Sequence, residues 1–317
     1  MVDVVLIQGD GIGPEITGSV IEIFDAAGAD IHWIPASAGM AAFESGGNPL
    51  PSETIELIKQ HKIALKGPLT TPVGGGFRSI NVLLRQTFNL YSNVRPALTL
   101  PGVPSRFGNV DLVLFRENTQ GMYSGIERYV DGDENRAETI ALITRDASER
   151  IIHAAFKYAM KHQRKKVTLV HKANIMKYST GLFLKVGQEI AKEYPDVTFE
   201  NMIVDNTAMQ MVLRPEIFDI IVTTNLFGDI LSDLASGLVG GLGVTGSANM
   251  GDEHAIFEAV HGSAPDIAGQ NKANPTALLL SSLLMLNYLG KKDLAEKIRK
   301  ALYRTLPDKE VTTGDIG

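Results

Sequence analysis

Seven short apolar runs, most of them rich in β-branched residues, recur along the chain, and helical patterns separate most of them. This alternation is typical of α/β proteins, in which helices connect the strands of a sheet. The 317 residues allow about two domains. No repeat or low-complexity linker divides the sequence, so we expect the second domain to form where the chain crosses over and returns. The runs are VVLIQ (4–8), DIHWIPA (30–36), IALKGPL (63–69), VDLVLFRE (110–117), KVTLVHK (166–172), VTFENMIV (197–204) and FDIIVTTNLF (218–227).

Composition excludes several classes of site and makes others unexpected. The chain has no cysteine, which excludes disulfides, zinc–thiolate sites and cysteine nucleophiles. A net charge of -6 gives no reason to expect nucleic acid or an anionic membrane as a partner. No apolar run reaches the ~20 residues that span a bilayer, and the N-terminus does not have the pattern of a signal peptide. We therefore expect a cytoplasmic protein that binds neither nucleic acid nor a membrane.

The first apolar run leads directly into GDGIGPE (9–15), a glycine-rich turn before a helical pattern. A dinucleotide fingerprint would need glycine or alanine where this chain has Pro14 or Ile16. The nearest acid, Asp30, begins the second run, whereas the fingerprint places an acid near the end of that strand. Pro14 suits the first turn of a helix, and Glu15 suits the positive end of its dipole. These residues favour a tight structural turn over a Rossmann site.

The segment TTNLFGDILSDLASGL (223–238) holds the densest concentration of chemically informative residues. Asp229 and Asp233 are four positions apart, so on a helix they share a face. Two carboxylates at this spacing form either a solvated acidic surface or part of a site for Mg2+ or Mn2+, and spacing alone leaves both open. Asp205, at the end of a predicted strand, is a candidate third ligand. The apolar stripe beside the two acids consists of Ile230, Leu231, Leu234 and Leu238.

Three arginines lie close to apolar elements. Arg85 falls in a helical pattern, while Arg95 and Arg116 adjoin apolar strand-like segments. A structural ion pair would explain any one of them, but together they suggest a site for a substrate with several carboxylates, which guanidinium groups bind in bidentate fashion. The preceding glycines, 74–76, are not a phosphate-binding P-loop because no Gly-Lys-Ser/Thr follows, and we expect a mobile loop there.

Three further segments each allow a structural and a functional interpretation. Lys172 in HKANIMK is either a surface lysine or, if desolvated, a proton-transfer group. Tyr123 in ENTQGMYSGIE is either a packing residue or a general acid. The segment FEAVHGSAPDIAGQNKANP (257–275) is either a structured loop or a loop that lets a ligand approach the backbone. A more polar stretch, 126–146, is expected to form an arm or hairpin.

Taken together and in this order, these segments resemble the β-decarboxylating dehydrogenases, the isocitrate and isopropylmalate dehydrogenase family. The resemblance runs from residue 9 to the TTGDIG at the end of the chain. It implies an α/β, non-Rossmann fold with large and small domains and an intersubunit arm. The segments that carry it are GDGIGPE, GPLTTPVGGGFRSIN, LYSNVRP, FRENTQGMYSGIE, HKANIMK, NLFGDILSDLASGL and HGSAPDIAGQNKANP.

The resemblance also implies a division of the chain. Residues 1–90 and 240–317 would form the large, cofactor-binding domain. Residues 91–120 and 145–239 would form the small domain, with the metal site and the dimer interface, and 121–144 the arm. Family members usually continue beyond GDIG, so a trimmed C-terminal boundary is an expectation.

By the same resemblance, active sites are shared between subunits. Asp229 and Asp233 bind a divalent metal, Mg2+ or Mn2+, and Asp205 joins them from the partner subunit. Lys172 also reaches in from the partner and serves in proton transfer, while Tyr123 protonates carbon after decarboxylation. At least a homodimer is required, and a tetramer stays open. Substrate contacts are expected from Ser79, Asn81, Arg85, Arg95 and Arg116. Cofactor contacts are expected from Ile12, Thr71, Glu258, His261, Gly262, Ala264, Asp266, Ile267 and Asn274.

The residues before Arg85 indicate the substrate. Relatives that act on isopropylmalate have leucine in place of Asn81, where it meets an alkyl group. Ser79 and Asn81 instead suit a third carboxylate, since burying each against an isopropyl group would cost about 1–3 kcal/mol. We therefore expect NAD-dependent oxidative decarboxylation of the tricarboxylate isocitrate to 2-oxoglutarate.

Three alternatives stay open at this point. Homoisocitrate differs from isocitrate by one methylene, which a binding site discriminates by only about 1–3 kcal/mol. 3-Isopropylmalate is a second alternative substrate. The third alternative is a non-catalytic regulatory subunit of a hetero-oligomeric isocitrate dehydrogenase.

The residues that follow HGSAP predict a preference for NAD over NADP. NADP-using bacterial relatives carry lysine and tyrosine where this chain has Asp266 and Ile267. Asp266 can accept hydrogen bonds from ribose hydroxyls and would repel a 2′-phosphate. Replacing both residues, Asp266→Lys with Ile267→Tyr, should therefore shift the ratio of kcat/KM values from NAD toward NADP. An unchanged ratio in the double variant would contradict this assignment.

Overall fold

The computed structural model describes residues 1–71 and 79–317 of the chain. They group into two compact units, and the chain leaves the first unit and returns to it. Two stretches predicted in the small domain group with the first unit instead: residues 96–108, from the stretch 91–120, and residues 236–239, from the stretch 145–239. The functional labels of the predicted domains stay predictions. The first unit comprises Met1–Leu90, Pro96–Gly108 and Ser236–Gly317, and the second comprises Tyr91–Arg95 and Asn109–Ala235.

A mostly parallel sheet forms the centre of the first unit. Strand β1 (Val2–Ile7) lies between β2 (Ile31–Ala36) and β3 (Ile63–Lys66), parallel to both. Next to β3 lies β12 (Ala255–Ala259), also parallel, and β11 (Gly246–Met250) pairs with β12 in the antiparallel direction. The inner strands are buried on both faces, which explains why their sequences are nearly continuous apolar runs.

Six α-helices lie among the described residues of the first unit. The first begins as predicted, with Pro14 in its first turn, and ends at Gly28 in the left-handed conformation. The helix that follows the 257–275 segment is buried around much of its circumference, packing on the sheet and on the first and last helices. The six are α1 (Gly13–Ala27), α2 (Met40–Gly46), α3 (Ser52–His61), α4 (Ile80–Thr87), α9 (Thr276–Tyr288) and α10 (Lys292–Thr305).

The second unit is built on a second set of parallel strands. Their order is β5 (Asp111–Glu117), β10 (Ile220–Thr223), β8 (Lys166–His171) and β9 (Thr198–Ile203). Strand β4 (Ser92–Leu98) is divided by the unit boundary, and its first residues belong here. The helices of this unit are α5 (Arg145–His162), α6 (Ser179–Ile190), α7 (Val204–Leu213) and α8 (Asn225–Leu238).

The polar stretch after β5 forms a hairpin, as predicted. Strands β6 (Glu127–Val130) and β7 (Asp133–Thr139) pair antiparallel, and most of their side chains are exposed. The expected α/β class is therefore confirmed, and each of the seven apolar runs contains a strand. Strands β4, β11 and β12 were not predicted. Asp205 was placed at the end of a strand, but it lies in the first turn of α7 instead.

Two further expectations concern a loop at 74–76 and membrane-spanning segments. The loop predicted at 74–76 lies outside the described residues. Among the residues that are described, no helix combines the length and apolar character needed to cross a membrane.

Candidate active site

Two arginines of the second unit are paired with two aspartates of one helix. Arg95 lies in β4 and Arg116 in β5, while Asp229 and Asp233 are one turn apart on α8. Arg95 Nη1 donates to Asp233 Oδ1 at 2.8 Å, and Arg116 Nη1 donates to Asp229 Oδ1. The predicted helical face therefore exists, and both of its carboxylates meet a guanidinium group.

Neighbouring polar groups fix the orientation of both guanidinium groups. Arg116 is only 1% exposed, and it also donates to Asn225 Oδ1 from Nε (2.9 Å) and Nη2 (2.7 Å). Arg95 Nε donates to Asn93 Oδ1 at 3.0 Å, and its Nη1 donates to Ser232 Oγ at 2.6 Å. Charges taken out of water persist only when they are paired and hydrogen-bonded in this way. The arginines are therefore held in place before any ligand binds.

A glycine lets α8 approach Arg116 closely. A Cβ atom on Gly228 would lie 2.5 Å from Cγ of Arg116, which is closer than real Cβ contacts. The apolar stripe predicted beside the acids is only partly correct, since Leu231 is buried but Ile230 is 58% exposed. The face that includes Ile230 is therefore not used for packing within the described chain.

Tyr123 joins this cluster from the short 3-10 turn Met122–Ser124, after β5. Its hydroxyl donates to Asp229 Oδ2, and its ring lies 5.1 Å from the guanidinium carbon of Arg116. Burial raises the pKa of Tyr123, and the hydrogen bond and charge of Asp229 raise it further. The hydroxyl therefore keeps its proton at neutral pH, as a proton donor must. Tyr123 therefore makes a polar contact with Asp229 in addition to packing against Arg116.

Lys172 and Asp205 form a second ion pair in the same unit. Lys172 directly follows β8, and its Nζ donates to Asp205 Oδ1 at 2.7 Å. The hydrogen bond from Lys172 holds the pKa of Asp205 below its usual value. Within residues 1–71 and 79–317, no three histidine, aspartate or glutamate side chains of one chain converge as a metal site. The structure thus brings Asp229 and Asp233 together and pairs Asp205 with Lys172.

A buried charge cluster lies in the first unit. Lys66 Nζ is 2.7 Å from Glu258 Oε2, and Arg85 Nη2 is 3.2 Å from Glu258 Oε1. Asn249 Nδ2 donates to the same carboxylate at 2.7 Å. Burial alone would raise the pKa of Glu258, but the charges of Lys66 and Arg85 and the hydrogen bonds from Lys66 and Asn249 overcome it, holding the pKa far below normal.

Lys66 was missed by the sequence reasoning, although a lysine inside the apolar run IALKGPL was an available signal. Two predicted substrate residues lie near the start of α4, with Ser79 just before the helix and Asn81 in its first turn. Asn81 Oδ1 and Arg85 Nε are buried, and neither has a hydrogen-bond partner in the described chain. These atoms are suited to contact a polar ligand.

The nine predicted cofactor residues all belong to the first unit. His261 Nδ1 lies 3.0 Å from the carbonyl oxygen of Gly262, while its buried Nε2 has no partner among the described residues. Burial lowers the pKa of His261, so the ring is neutral at pH 7. Asn274 Oδ1 accepts from the N–H of Thr276 at 2.9 Å, and its Nδ2 donates to Asp315 at 3.0 Å.

The remaining cofactor positions differ in exposure. Ile12 is buried, and its N–H donates to the carbonyl oxygen of Ser263 at 2.8 Å. Thr71, Gly262 and Asp266 are exposed, whereas Ala264 and Ile267 are partly buried. These positions are therefore distributed between the GDGIGPE turn, the end of the Gly67–Thr71 segment and the loop that follows β12.

Comparison with known proteins gives consistent results. The family model described as isocitrate/isopropylmalate dehydrogenase matches residues 3–317. A mitochondrial NAD isocitrate dehydrogenase regulatory subunit of Dictyostelium discoideum is 51% identical, with 99% of this chain and 87% of that protein covered. The NAD isocitrate dehydrogenase catalytic subunit 5 of Arabidopsis thaliana is 48% identical over 98% of this chain and 83% of that protein.

A solved structure is equally similar. The crystal structure of an isocitrate dehydrogenase from Methylococcus capsulatus matches with a TM-score of 0.97 and 54% identity, covering 100% of this chain and 94% of that one. The Dictyostelium and Arabidopsis relatives are named as mitochondrial proteins, which differs from the predicted cytoplasmic location. The location of this chain stays a prediction.

The buried cluster around Glu258 predicts a pH-dependent contribution to stability. Because the pKa of Glu258 is lower in the folded chain than in the unfolded chain, its contribution is fully present above the unfolded value of about 4.3. It is lost as the pH falls below that value. Glu258→Gln should lower the free energy of unfolding at pH 7 by about 3–5 kcal/mol, because Lys66 and Arg85 would keep buried, unpaired charge.

Urea unfolding at several pH values tests this prediction. The difference between wild type and Glu258→Gln should shrink on acidification below about pH 4.3. Glu253→Gln is a matched control, because Glu253 forms only a solvent-exposed 3.5 Å ion pair with Lys62 and should change little. A difference that does not depend on pH would contradict the assigned charge state.

Proposed function

The chain belongs to the isocitrate/isopropylmalate dehydrogenase family, and on that premise we propose that it oxidatively decarboxylates isocitrate to 2-oxoglutarate, using NAD and Mg2+ or Mn2+. One observation carries the proposal. Arg95, Arg116 and Tyr123 all contact the two aspartates of α8. Two guanidinium groups that can bind substrate carboxylates therefore lie beside two carboxylates that can bind a cation. The hydroxyl of Tyr123, a proton donor, contacts one of these carboxylates, that of Asp229.

The arginines are proposed to bind and orient the substrate carboxylates. A guanidinium group binds a carboxylate in bidentate fashion, and Arg95 and Arg116 already hold the acids of α8. Substrate carboxylates would replace Asp233 and Asp229 as their partners. Orientation of this kind contributes to rate without bond-making by the arginines.

Ser79 and Asn81 support a third carboxylate on the substrate. Ser79 occupies the N-cap position of α4, and Asn81 lies in the first turn. The positive end of a helix dipole favours a negative group, whereas an isopropyl group would gain nothing there. The side-chain amide of Asn81 can donate a hydrogen bond from Nδ2 to such a carboxylate. This arrangement supports isocitrate over isopropylmalate.

Asp229 and Asp233 fit a hard divalent cation. Their side chains are 37% and 56% exposed, so a cation can reach them, and carboxylate oxygens are the ligands that Mg2+ and Mn2+ prefer. Asp205 would complete the set from the partner subunit. When bound, the cation supplies Lewis acidity to the substrate hydroxyl and carboxylate. Once Asp229 and Asp233 bind the cation, Arg95 and Arg116 would be available to pair with substrate carboxylates.

Lys172 and Tyr123 are proposed to move protons. Lys172 Nζ would help remove the proton from the substrate hydroxyl, and the hydroxyl of Tyr123 would deliver a proton to carbon after CO2 leaves. The position of the Tyr123 hydroxyl beside Asp229 supports the second role, because it places a proton donor next to the proposed cation ligand. NAD supplies the hydride acceptor, and the exposed Asp266 supports NAD over NADP.

Exposed apolar side chains support an assembly in which Lys172 and Asp205 serve a partner. Tyr178 is 94% exposed, and Ile175 is also exposed, both in the segment after Lys172. Met209 and Leu213 are exposed on α7, the helix that carries Asp205. Apolar side chains of this size around two charged groups are typical of a protein interface. We therefore propose a homodimer, or a larger assembly built on it.

A regulatory subunit is the second candidate, because the Dictyostelium relative bearing that name is 51% identical. Such a subunit would be expected to lose metal or proton-transfer residues. Asp205, Asp229, Asp233, Lys172 and Tyr123 are all present in this chain. Metal-dependent NADH formation by the purified chain alone separates the two candidates. Homoisocitrate stays the alternative substrate, and parallel rates with both acids decide between them.

The proposal predicts the effect of Lys172→Met. This variant should fold, because the ion pair it removes is with the largely exposed Asp205, and it should bind metal. Its kcat for NADH formation should fall by about 100-fold or more, the usual contribution of a proton-transfer group. Lys161→Met on α5 is the matched control and should keep its activity, since Lys161 is exposed and lies outside the proposed interface and site. Wild-type turnover in Lys172→Met would remove the lysine from the reaction.

A further inference from the structure

The loop after β12 needs support from outside itself. Residues 261–275, all of them described, form no helix or strand; we name them the pocket loop, since they hold most of the predicted cofactor residues. Three of them have positive φ values, Ala264 (37°), Gly269 (74°) and Asn271 (54°). Backbone in this region is costly for residues other than glycine and persists only where surrounding structure holds it.

Glu15 of the GDGIGPE turn supplies such support. Its Oε2 accepts from the N–H of Gly269 at 3.2 Å, and its Oε1 accepts from the N–H of Asn271 at 2.8 Å. Both residues have positive φ values and lie two positions apart, so one carboxylate binds two left-handed amides on either side of Gln270. A hydrogen bond to an ionised carboxylate is stronger than one to a neutral acceptor.

The base of this support is rigid. Glu15 lies in the first turn of α1, and that helix is anchored in the core of the first unit through Ile16, Val20 and Phe24, each at most 1% exposed. Because this helix is fixed in the core, the carboxylate of Glu15 has a defined position from which it can hold the pocket loop. The helix dipole also favours an acid at this position, but that effect alone would not hold the loop.

The other end of the pocket loop is attached to the same turn. The N–H of Ile12 donates to Ser263 O at 2.8 Å, and the hydroxyls of Ser263 and Thr70 are 2.7 Å apart. Gly11 must be glycine, because a Cβ atom there would lie 2.0 Å from the same Ser263 oxygen. The turn therefore contacts the pocket loop near its beginning at residue 263 and near its end at residues 269 and 271.

We propose that Glu15 is a positioning residue that holds the pocket loop in its NAD-binding conformation. This inference rests on the proposed function for the identity of the nucleotide. It gives the GDGIGPE turn a role that differs from phosphate binding: the acid of the turn binds the protein's own loop. Removing the carboxylate should weaken NAD binding without a comparable effect on isocitrate.

The test uses Glu15→Ala and Glu15→Gln in the full chain. The matched control is Glu22→Ala, which removes an exposed glutamate seven residues later on the same helix. Hydrogen exchange with pulses from milliseconds upward follows peptides that cover residues 262–275. Fluorescence titration gives the Kd for NADH, and initial rates give KM for NAD and for isocitrate separately.

Glu15→Ala should speed exchange in the pocket loop by about tenfold and raise the KM for NAD by about three- to tenfold, as expected for losing one or two charge-assisted hydrogen bonds. The KM for isocitrate should stay within about twofold of its wild-type value, because the bonds lost are confined to the loop. The exchange rate and KM of Glu15→Gln should lie between those of wild type and Glu15→Ala, since each oxygen of Glu15 accepts one bond and glutamine keeps only one of these oxygens, without the charge. Glu22→Ala should match wild type.

Three results would overturn the inference. Exchange in Glu15→Ala could equal that of wild type or of Glu22→Ala, exchange could rise with no change in NADH affinity, or both KM values could rise together. Failure of the proposed function has a different signature. In that case, wild-type protein would form no NADH from isocitrate, while loop exchange and NADH titration would still decide the role of Glu15.

Discussion

Burial of the Arg116 guanidinium is the constraint on which much of the second unit depends. Arginine cannot lose its proton, so a side chain that is 1% exposed must have acceptors on every side. Asn225 and Asp229 supply them, both from α8, and Gly228 lets that helix come close enough. Tyr123 then takes its place against the same carboxylate. The need to neutralise one strand arginine thus sets the positions of the proposed cation ligand and proton donor.

The first unit follows the same physical rule with the signs reversed. Here a buried carboxylate, Glu258, requires cations, and Lys66 and Arg85 provide them. The GDGIGPE turn attaches the pocket loop as well: Gly11 permits its close approach, and Glu15 binds two of its backbone amides. Each unit therefore combines a mostly parallel set of buried strands with short polar segments held by specific ion pairs or hydrogen bonds, an arrangement common in α/β enzymes.

Sequence patterns predicted the elements that depend on local chemistry. The strand–helix alternation, the helix start at Pro14, the hairpin and the shared face of Asp229 and Asp233 all follow from residue spacing. Strands β4 and β11 were missed because SNVRPAL and GSANM are too polar to be recognised without their neighbours in the sheet. The partners of Lys66 and Arg116 could not be predicted either, since tertiary contacts bring distant residues together. The roles assigned to site residues came from family resemblance.

The central claim is that one active site is assembled from two copies of the chain, and complementation between inactive variants tests it most directly. Asp205→Asn and Asp229→Asn should each be inactive alone. In a twofold-symmetric dimer, a mixed pair regenerates one intact site, so randomly reassorted dimers should recover about a quarter of wild-type NADH formation. One variant carries an isotope label, so that mixed dimers can be recognised by their intermediate mass. Activity that stays at the level of the separate variants, although mixed dimers are present, would contradict the account.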